Sequence, residues 1–183
     1  MNAPDNSYIA VLDTCVLAPM PLCDTLLRLA EEPPLYIPKW TADIMRELRS
    51  TLLRMGYSPS QAERRIVAME TAFDHARVES YGRLVNTMTN HPKDRHVLAA
   101  AVRCRANAVI THNTKDFPPK STRPFHVEIV TPDHFLVNRF RRDAALIRQK
   151  LADQAVATKL PMEALLDKLG RTAPQFVKLL RKT

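Results

Sequence analysis

Four acidic residues stand at places where a carboxylate could do chemistry, and two of them follow predicted strands. Asp13 comes directly after the apolar run Tyr8–Leu12, and Asp116 lies in the polar loop after a second apolar run at 107–111. Ile, Val, Leu and Tyr in such short runs favour strands that are buried on both faces. In open α/β sheets, ligands bind at the carboxyl ends of the strands. We therefore expect both acids at the same end of a sheet.

The other two acids belong to predicted helices. Glu47 lies on a helix predicted over about residues 40–54, roughly 100° from the centre of its apolar face, at the border between core and solvent. Asp94 lies in the first turn of a helix that begins near Pro92. Three of the acids also have an ordinary explanation: Asp13 could cap a turn, Glu47 could be a surface residue, and Asp94 could complement a helix dipole. The four acids come from two strand ends, one helix and one helix start, which can converge at one crevice of a parallel sheet. We therefore interpret them as one site.

Several carboxylates in one small site repel each other, and some would protonate unless a cation neutralised them. Oxygen ligands without an accompanying Cys or His arrangement suit Mg²⁺ or Mn²⁺. Such ions clamp phosphates and activate water for attack on a phosphodiester. We expect Thr14, Thr111 and Asn113 in supporting positions, where they hold the water or stand behind the ligands.

The alternation of predicted strands and helices up to residue 133 indicates a doubly wound parallel α/β sheet flanked by helices. Two further strands are predicted at 35–38 and 127–130. A helix capped by Thr131 is expected to run to about residue 155, and Pro161 and Gly170 divide the rest into two short amphipathic helices.

The excess of positive charge lies almost entirely at the end of the chain. The 183 residues carry a net charge of +8; residues 134–183 hold 11 Lys/Arg and 4 Asp/Glu, which gives +7 and leaves +1 for residues 1–133. A basic segment favours a polyanion such as nucleic acid, or an acidic protein partner. A solvated helix face would carry the same charge. The predicted RNA contacts, on a face expected beside the acidic crevice, are Arg139, Arg141, Arg142 and Arg148.

Composition predicts a globular cytoplasmic protein. No apolar run approaches the roughly 20 residues of a membrane span, and the polar start at 1–7 lacks the basic and apolar regions of a signal peptide. The three cysteines show no C-x-x-C spacing. An odd count without a secretion signal is typical of reduced thiols in the cytosol.

Four stretches together resemble a known family. Asp13-Thr14 follows the first strand, Arg46-Glu47-Leu48 lies in a helix, and the other two stretches are 94–101 and 111–117. Their order and spacing over about residues 8–133 resemble PIN-domain endoribonucleases, most closely toxins of the VapC type. The resemblance implies a PIN-like nuclease domain over 1–133. Residues 134–183 would then be a basic helical C-terminal extension, for which RNA binding, packing on the core and dimerisation stay open.

The resemblance implies metal-dependent cleavage of RNA by the toxin component of a type II toxin–antitoxin system, controlled by a cognate antitoxin protein. Asp13, Glu47, Asp94 and Asp116 would be the catalytic acids and the ligands of Mg²⁺ or Mn²⁺. The family's fourth acid often stands two residues after the threonine, where this chain has Asn113. Asp116 is then either that ligand displaced or a secondary loop residue.

The main alternative is a catalytically inactive RNA-binding or partner-binding module of the same fold, against which the intact acids speak. A haloacid-dehalogenase-type phosphatase would need a second Asp where this chain has Cys15, and a response-regulator receiver has its phosphoacceptor at a later strand. A zinc site of His91, His96 and His112 lacks the usual ligand spacing on one helix. His96 or His112 could instead contact RNA.

Overall fold

The core of the protein is a sheet of short parallel strands. The computed structural model describes residues 8–182, so the polar start at 1–7 lies outside the described residues. The strands are β1 (Ile9–Leu12), β2 (Ile37–Lys39), β3 (Ala108–Ile110) and β4 (Glu128–Val130). They lie in the order β2-β1-β3-β4, and every pairing is parallel. Together with the flanking helices, this sheet confirms the predicted α/β fold class.

The strand order reverses at β1, which has β2 on one side and β3 on the other. The loops that follow two such neighbouring strands leave in different directions, which opens a crevice at their carboxyl ends. Asp13 follows β1 and Thr111 follows β3, and the backbone N–H of Asp13 donates to the carbonyl of Ile110 at 3.1 Å. The topology therefore brings the ends of the two central strands together.

Helices flank the sheet, and none in the described part of the chain is long and apolar enough to cross a membrane. The helix α3 begins where Thr41 accepts a hydrogen bond from the N–H of Ile44 at 3.2 Å, a cap that fixes its start. The helices of the described residues are α1 (Thr14–Leu17), α2 (Leu22–Arg28), α3 (Ala42–Arg54), α4 (Pro59–Ala72), α5 (Gly82–Val85), α6 (Arg95–Arg103), α7 (Pro119–Thr122), α8 (Pro132–Arg142), α9 (Ala144–Thr158), α10 (Met162–Leu169) and α11 (Pro174–Lys182).

The prediction of one helix from Thr131 to about residue 155 is wrong. Asp143 interrupts it with φ −148° and ψ 83°, and its Oδ1 accepts a hydrogen bond from the N–H of Leu146 at 2.9 Å. An Asp side chain that binds the backbone in this way caps a new helix instead of continuing the old one. The apolar spacing continues across the break, which is why the sequence pattern did not reveal it.

The helices after residue 133 pack directly on the sheet-bearing part of the molecule. The rings of Tyr36 and Phe135 meet edge to face, with centroids 4.9 Å apart. The buried amide of Gln154 accepts from Thr25 Oγ1 at 2.8 Å and donates to the carbonyl of Pro21 at 3.2 Å, which joins α9 to α2. Packing on the core is thus one role of the tail. A boundary at residue 133 between a nuclease domain and an extension stays a prediction.

Candidate metal centre

The carboxylate of Asp13 is buried at the end of β1 and held by two side chains. Its Oδ2 accepts a hydrogen bond from Thr111 Oγ1 at 2.6 Å and another from Cys15 Sγ at 3.2 Å. Asp13 stands at the N-cap position of α1, yet its side chain makes no cap hydrogen bond. Capping therefore does not account for this acid, and its orientation is fixed by Thr111 and Cys15.

Cys15 supports Asp13 as a neutral donor. Burial, followed by the negative charge of Asp13, raises the pKa of the Cys15 thiol to about 12. At neutral pH the sulfur keeps its proton, so it donates to the carboxylate and is not itself an anionic ligand. The sequence analysis did not predict this role for Cys15. The only sequence feature that could have suggested it is that Cys15 lies two residues after Asp13.

Asp94 and Asp116 come together with a histidine. One ligand atom each from His91, Asp94 and Asp116 lies within 4.8 Å of the other two. The N–H of His91 donates to the carbonyl of Asp116 at 2.9 Å, and the N–H of Asp94 donates to the carbonyl of His91 at 2.9 Å. Although Asp94 occupies the N-cap position of α6, its side chain makes no cap hydrogen bond. As with Asp13, helix capping does not account for this acid.

Negative charges concentrate around Asp94. Burial, followed by the negative charges of Asp13 and Asp116, raises the pKa of Asp94. A cation among these groups would relieve the repulsion and favour the ionised form of Asp94. The carboxylate oxygens of Asp94 and Asp116 lie within 4.8 Å of each other and are hard donors of the kind that Mg²⁺ and Mn²⁺ accept, so they fit such an ion. Asp13 is near enough to raise the pKa of Asp94, but it is not in that group.

Glu47 belongs to a neighbouring set of contacts. Its Oε2 accepts a hydrogen bond from Thr14 Oγ1 at 3.0 Å, and its Oε1 lies 3.0 Å from His96 Nε2 in a charge contact without aligned hydrogen-bond geometry. Burial alone would raise the pKa of Glu47, but His96 and Thr14 outweigh it, so the pKa lies below its ordinary value. Glu47 is half-exposed and ionised, and it is outside the group of described residues that gathers around Asp94.

The pair of Glu47 and His96 should stabilise the fold most in mildly acidic solution. Burial would lower the pKa of His96, but Glu47 outweighs it, so the folded pKa lies above the ordinary 6.5 while that of Glu47 lies below its ordinary 4.5. The histidine's contribution is present below its unfolded pKa and lost as pH rises through the folded one. The contribution of Glu47 is present above its unfolded pKa and lost as pH falls through the folded one.

We therefore expect Glu47→Gln to lower the free energy of unfolding more at about pH 5.5 than at about pH 8.5, by about 1 kcal/mol or less because the pair is partly exposed. Urea unfolding in metal-free buffer at both pH values measures this difference. The same measurement on Glu63→Gln, an exposed acid that pairs with Arg49, provides the control. A cost of Glu47→Gln that does not change with pH would contradict the expectation.

The predicted supporting residues divide into two kinds. Thr14 and Thr111 each hold one acid through a hydroxyl, as their hydrogen bonds to Glu47 and Asp13 show. Asn113 instead donates its backbone N–H to Thr111 Oγ1 at 2.9 Å, and the residue is exposed. Asp116 lies near Asp94, and its role as the fourth ligand stays a prediction beside that of Asn113.

The histidines considered for zinc do not gather into one site in the described part of the chain. His91 joins Asp94, His96 contacts Glu47, and the backbone N–H of His112 donates to Cys15 Sγ at 3.2 Å. The contact of His96 was missed from the sequence because it depends on how α3 and α6 lie against each other.

The expectation that the basic residues of the tail lie beside the acids is wrong for Arg139. This residue is buried, its guanidinium carbon lies 4.1 Å from the centre of the Tyr8 ring, and Nη1 donates to the carbonyl of Leu35 at 3.3 Å. Tyr8 precedes β1 and Asp13 follows it, so about 16 Å of extended chain separates them. Arg139 therefore packs at the end of the sheet opposite the acids.

The other three arginines differ in exposure. Arg148 donates from Nη2 to the carbonyl of Leu180 at 3.0 Å and lies over the ring of Phe140. Arg141 and Arg142 are exposed. RNA binding by these arginines stays a prediction, and exposure favours Arg141 and Arg142.

The chain is similar to known proteins over more than half of its length. The family model described as PIN domain matches residues 10–115, more than half of the chain. A protein of Mycobacterium tuberculosis (strain ATCC 25618 / H37Rv), named "Putative ribonuclease VapC50", is 36% identical over 105 residues, which make up 56% of this chain and 62% of that protein. The match thus spans less than two thirds of the relative's length. No solved structure matches the chain significantly.

Proposed function

Because the chain belongs to the PIN-domain family, we propose that it is a metal-dependent endoribonuclease that hydrolyses RNA phosphodiesters. The observation that carries the proposal is the approach of Asp94 and Asp116, which offer ligand atoms within 4.8 Å of each other. Burial, followed by the negative charges of Asp13 and Asp116, raises the pKa of Asp94. A relative named as a ribonuclease supports RNA as the substrate. A charged polymer needs a cation at such an acidic site, because the phosphates would otherwise be repelled.

The residues of the site have separate tasks in this proposal. Asp13, Asp94 and Asp116 would hold Mg²⁺ or Mn²⁺, with Glu47 as a further acid beside them. The bound ion would neutralise phosphate charge and lower the pKa of a water molecule that attacks phosphorus. Thr111 and Cys15 keep Asp13 in one orientation through its Oδ2. Support of this kind fixes the position and the orientation of a ligand.

The carboxylate of Glu47 is ionised and contributes a negative charge. The hydroxyl of Thr14 and the imidazole of His96 contact its two oxygens and together lower its pKa. A carboxylate with a lowered pKa is better suited to attract a cation or orient a water molecule than to keep a proton at neutral pH.

The cellular role that we propose is that of the toxin of a type II toxin–antitoxin system in the cytoplasm. The resemblance to VapC-type toxins, a designation that the M. tuberculosis relative shares, supports this role. The protein partners would be a cognate antitoxin and a second copy of the chain. The exposed Arg141 and Arg142 would meet RNA phosphates or an acidic antitoxin, in keeping with the net charge of +7 over residues 134–183.

We expect the purified protein to cleave RNA in Mg²⁺ or Mn²⁺, to stop in EDTA, and to recover when excess metal is restored. Mapping the new ends by primer extension should show internal cuts, because an endonuclease does not need a free terminus. A parallel preparation of Asp13→Asn excludes a contaminating nuclease. RNA that is bound but left intact with either ion would favour the inactive binding module instead.

A further inference from the structure

His91 stands at the junction of the two segments that carry Asp94 and Asp116. Its backbone N–H donates to the carbonyl of Asp116 and its carbonyl accepts from the N–H of Asp94, both at 2.9 Å. Its side chain points the same way, because Nδ1 lies 3.5 Å from Asp94 Oδ2. Main chain and side chain thus place an imidazole nitrogen beside two carboxylates.

The separations of these atoms are close to those around one small ion. At metal–ligand bonds of about 2.1 Å, two ligands of an octahedral ion lie about 3 Å apart when adjacent and about 4.2 Å apart when opposite. The 3.5 Å between His91 Nδ1 and Asp94 Oδ2 lies between those two distances. The three ligand atoms of the group lie within 4.8 Å of one another, so small side-chain movements would bring all three onto one ion. The side chain of His91 is 46% exposed, so the nitrogen can reach an ion from the solvent side with little rearrangement.

We propose that His91 donates Nδ1 as a nitrogen ligand to the ion held by Asp94 and Asp116, and that the site therefore prefers Mn²⁺ to Mg²⁺. The inference rests on the proposed metal dependence. Mg²⁺ takes oxygen ligands and gives up water reluctantly, whereas an imidazole nitrogen suits transition-metal ions. A site of three carboxylates alone would discriminate less between the two ions.

The chain offers a matched control at a second pair of histidine and aspartate. His75 Nδ1 lies 3.4 Å from Asp74 Oδ1, nearly the same separation as in the pair of His91 and Asp94. In the described part of the chain, no further His, Cys, Asp or Glu gathers around that pair closely enough to form a candidate metal group. His75→Gln therefore removes a similar contact between a histidine and an aspartate without removing a proposed ligand.

The test is pulsed electron paramagnetic resonance on the Mn²⁺-loaded protein, together with calorimetric titration by Mn²⁺ and by Mg²⁺. Wild type and His75→Gln should show the ¹⁴N modulation of a directly bound imidazole, and His91→Gln should lose it. We expect His91→Gln to weaken Mn²⁺ binding by about tenfold or more and Mg²⁺ binding by less than about threefold. Circular dichroism of each variant checks that the fold is kept.

The possible results separate this inference from the proposed function. Mn²⁺ binding without ¹⁴N modulation in wild type would overturn the role of His91 and leave a metal site of carboxylates intact. Modulation that persists in His91→Gln would assign the nitrogen to another histidine and would also overturn it. If neither ion binds to the wild-type protein, both the inference and the proposed metal dependence fail.

Discussion

Asp13→Asn and Asp94→Asn are each expected to lower metal-dependent RNA cleavage by more than about a hundredfold. The amide keeps the size of the side chain but removes the charge that would bind the ion. Asp13→Asn also keeps an oxygen that can accept from Thr111 and Cys15, so the local packing should survive. Initial rates on an end-labelled RNA at saturating Mn²⁺ measure the effect.

Stability provides the control for this expectation. Burial, followed by the charges of Asp13 and Asp116, raises the pKa of Asp94, so removing the charge of Asp94 relieves both its desolvation and its repulsion in the metal-free protein. The free energy of unfolding of Asp94→Asn in EDTA should then equal or slightly exceed that of wild type. Asp74→Asn, at an exposed acid outside the site, should change neither cleavage nor stability. Cleavage at the wild-type rate by either site variant would remove that acid from the proposed mechanism.

The same cleavage measurement applies to Glu47 and Asp116, the two acids whose role as ligands was predicted less directly from the sequence. Glu47→Gln should lose most of the activity, because the charge beside the site is then incomplete. If Asp116→Asn is as severe as Asp13→Asn, Asp116 is a ligand in its own right. A mild effect of Asp116→Asn would instead return the fourth position to Asn113.

The positions of the acids could be predicted because their signals are local. A short apolar run that ends in Asp13 marks the carboxyl end of a strand. Pro92 opens a short 3₁₀ turn that carries Asp94 and leads into α6, which begins at Arg95, slightly later than predicted. Helical geometry also placed Glu47 at the border between core and solvent, where its side chain is half-exposed. Such features follow from periodicity and need no knowledge of tertiary contacts.

The partners of those acids could not be predicted in the same way. Glu47 meets His96 across 49 residues of sequence, and Asp13 meets Thr111 across 98. Which side chains meet depends on the crossing of packed elements, and sequence spacing does not encode that crossing. Cys15 is close to Asp13 in sequence, but whether its thiol turns towards the carboxylate depends on the turn into α1.

The exposure of the charged residues in the tail could not be predicted from the sequence either. Its net charge was known from composition, but composition does not tell a buried arginine from an exposed one. Arg139 is 6% exposed and stacks on Tyr8, whereas Arg141, two residues later, is exposed. An arginine can be buried in this way because its planar, weakly hydrated guanidinium stacks on aromatic rings and also donates hydrogen bonds.

Arg139→Glu is therefore expected to lower the free energy of unfolding by several kcal/mol, about 3–5. The change removes the guanidinium that lies over Tyr8 and Phe135, and it directs a carboxylate towards the carbonyl of Leu35. Urea unfolding measures the loss. Arg139→Met, which keeps much of the buried apolar length, should cost less than Arg139→Glu because it leaves no unpaired buried charge.

The exposed neighbours provide the contrast that makes this result informative. Reversing Arg141 and Arg142 to Glu should lower stability much less than Arg139→Glu, because both residues are exposed. The same double variant should weaken RNA binding and flatten its salt dependence by a log–log slope of about 0.7 for each phosphate that the protein no longer neutralises, as measured by fluorescence anisotropy with a labelled RNA. If the slope does not change, these two arginines only solvate the helix or receive an acidic antitoxin. If Arg139→Glu unfolds at the same urea concentration as wild type, the contacts of Arg139 with Tyr8 and Leu35 do not stabilise the packing of α8.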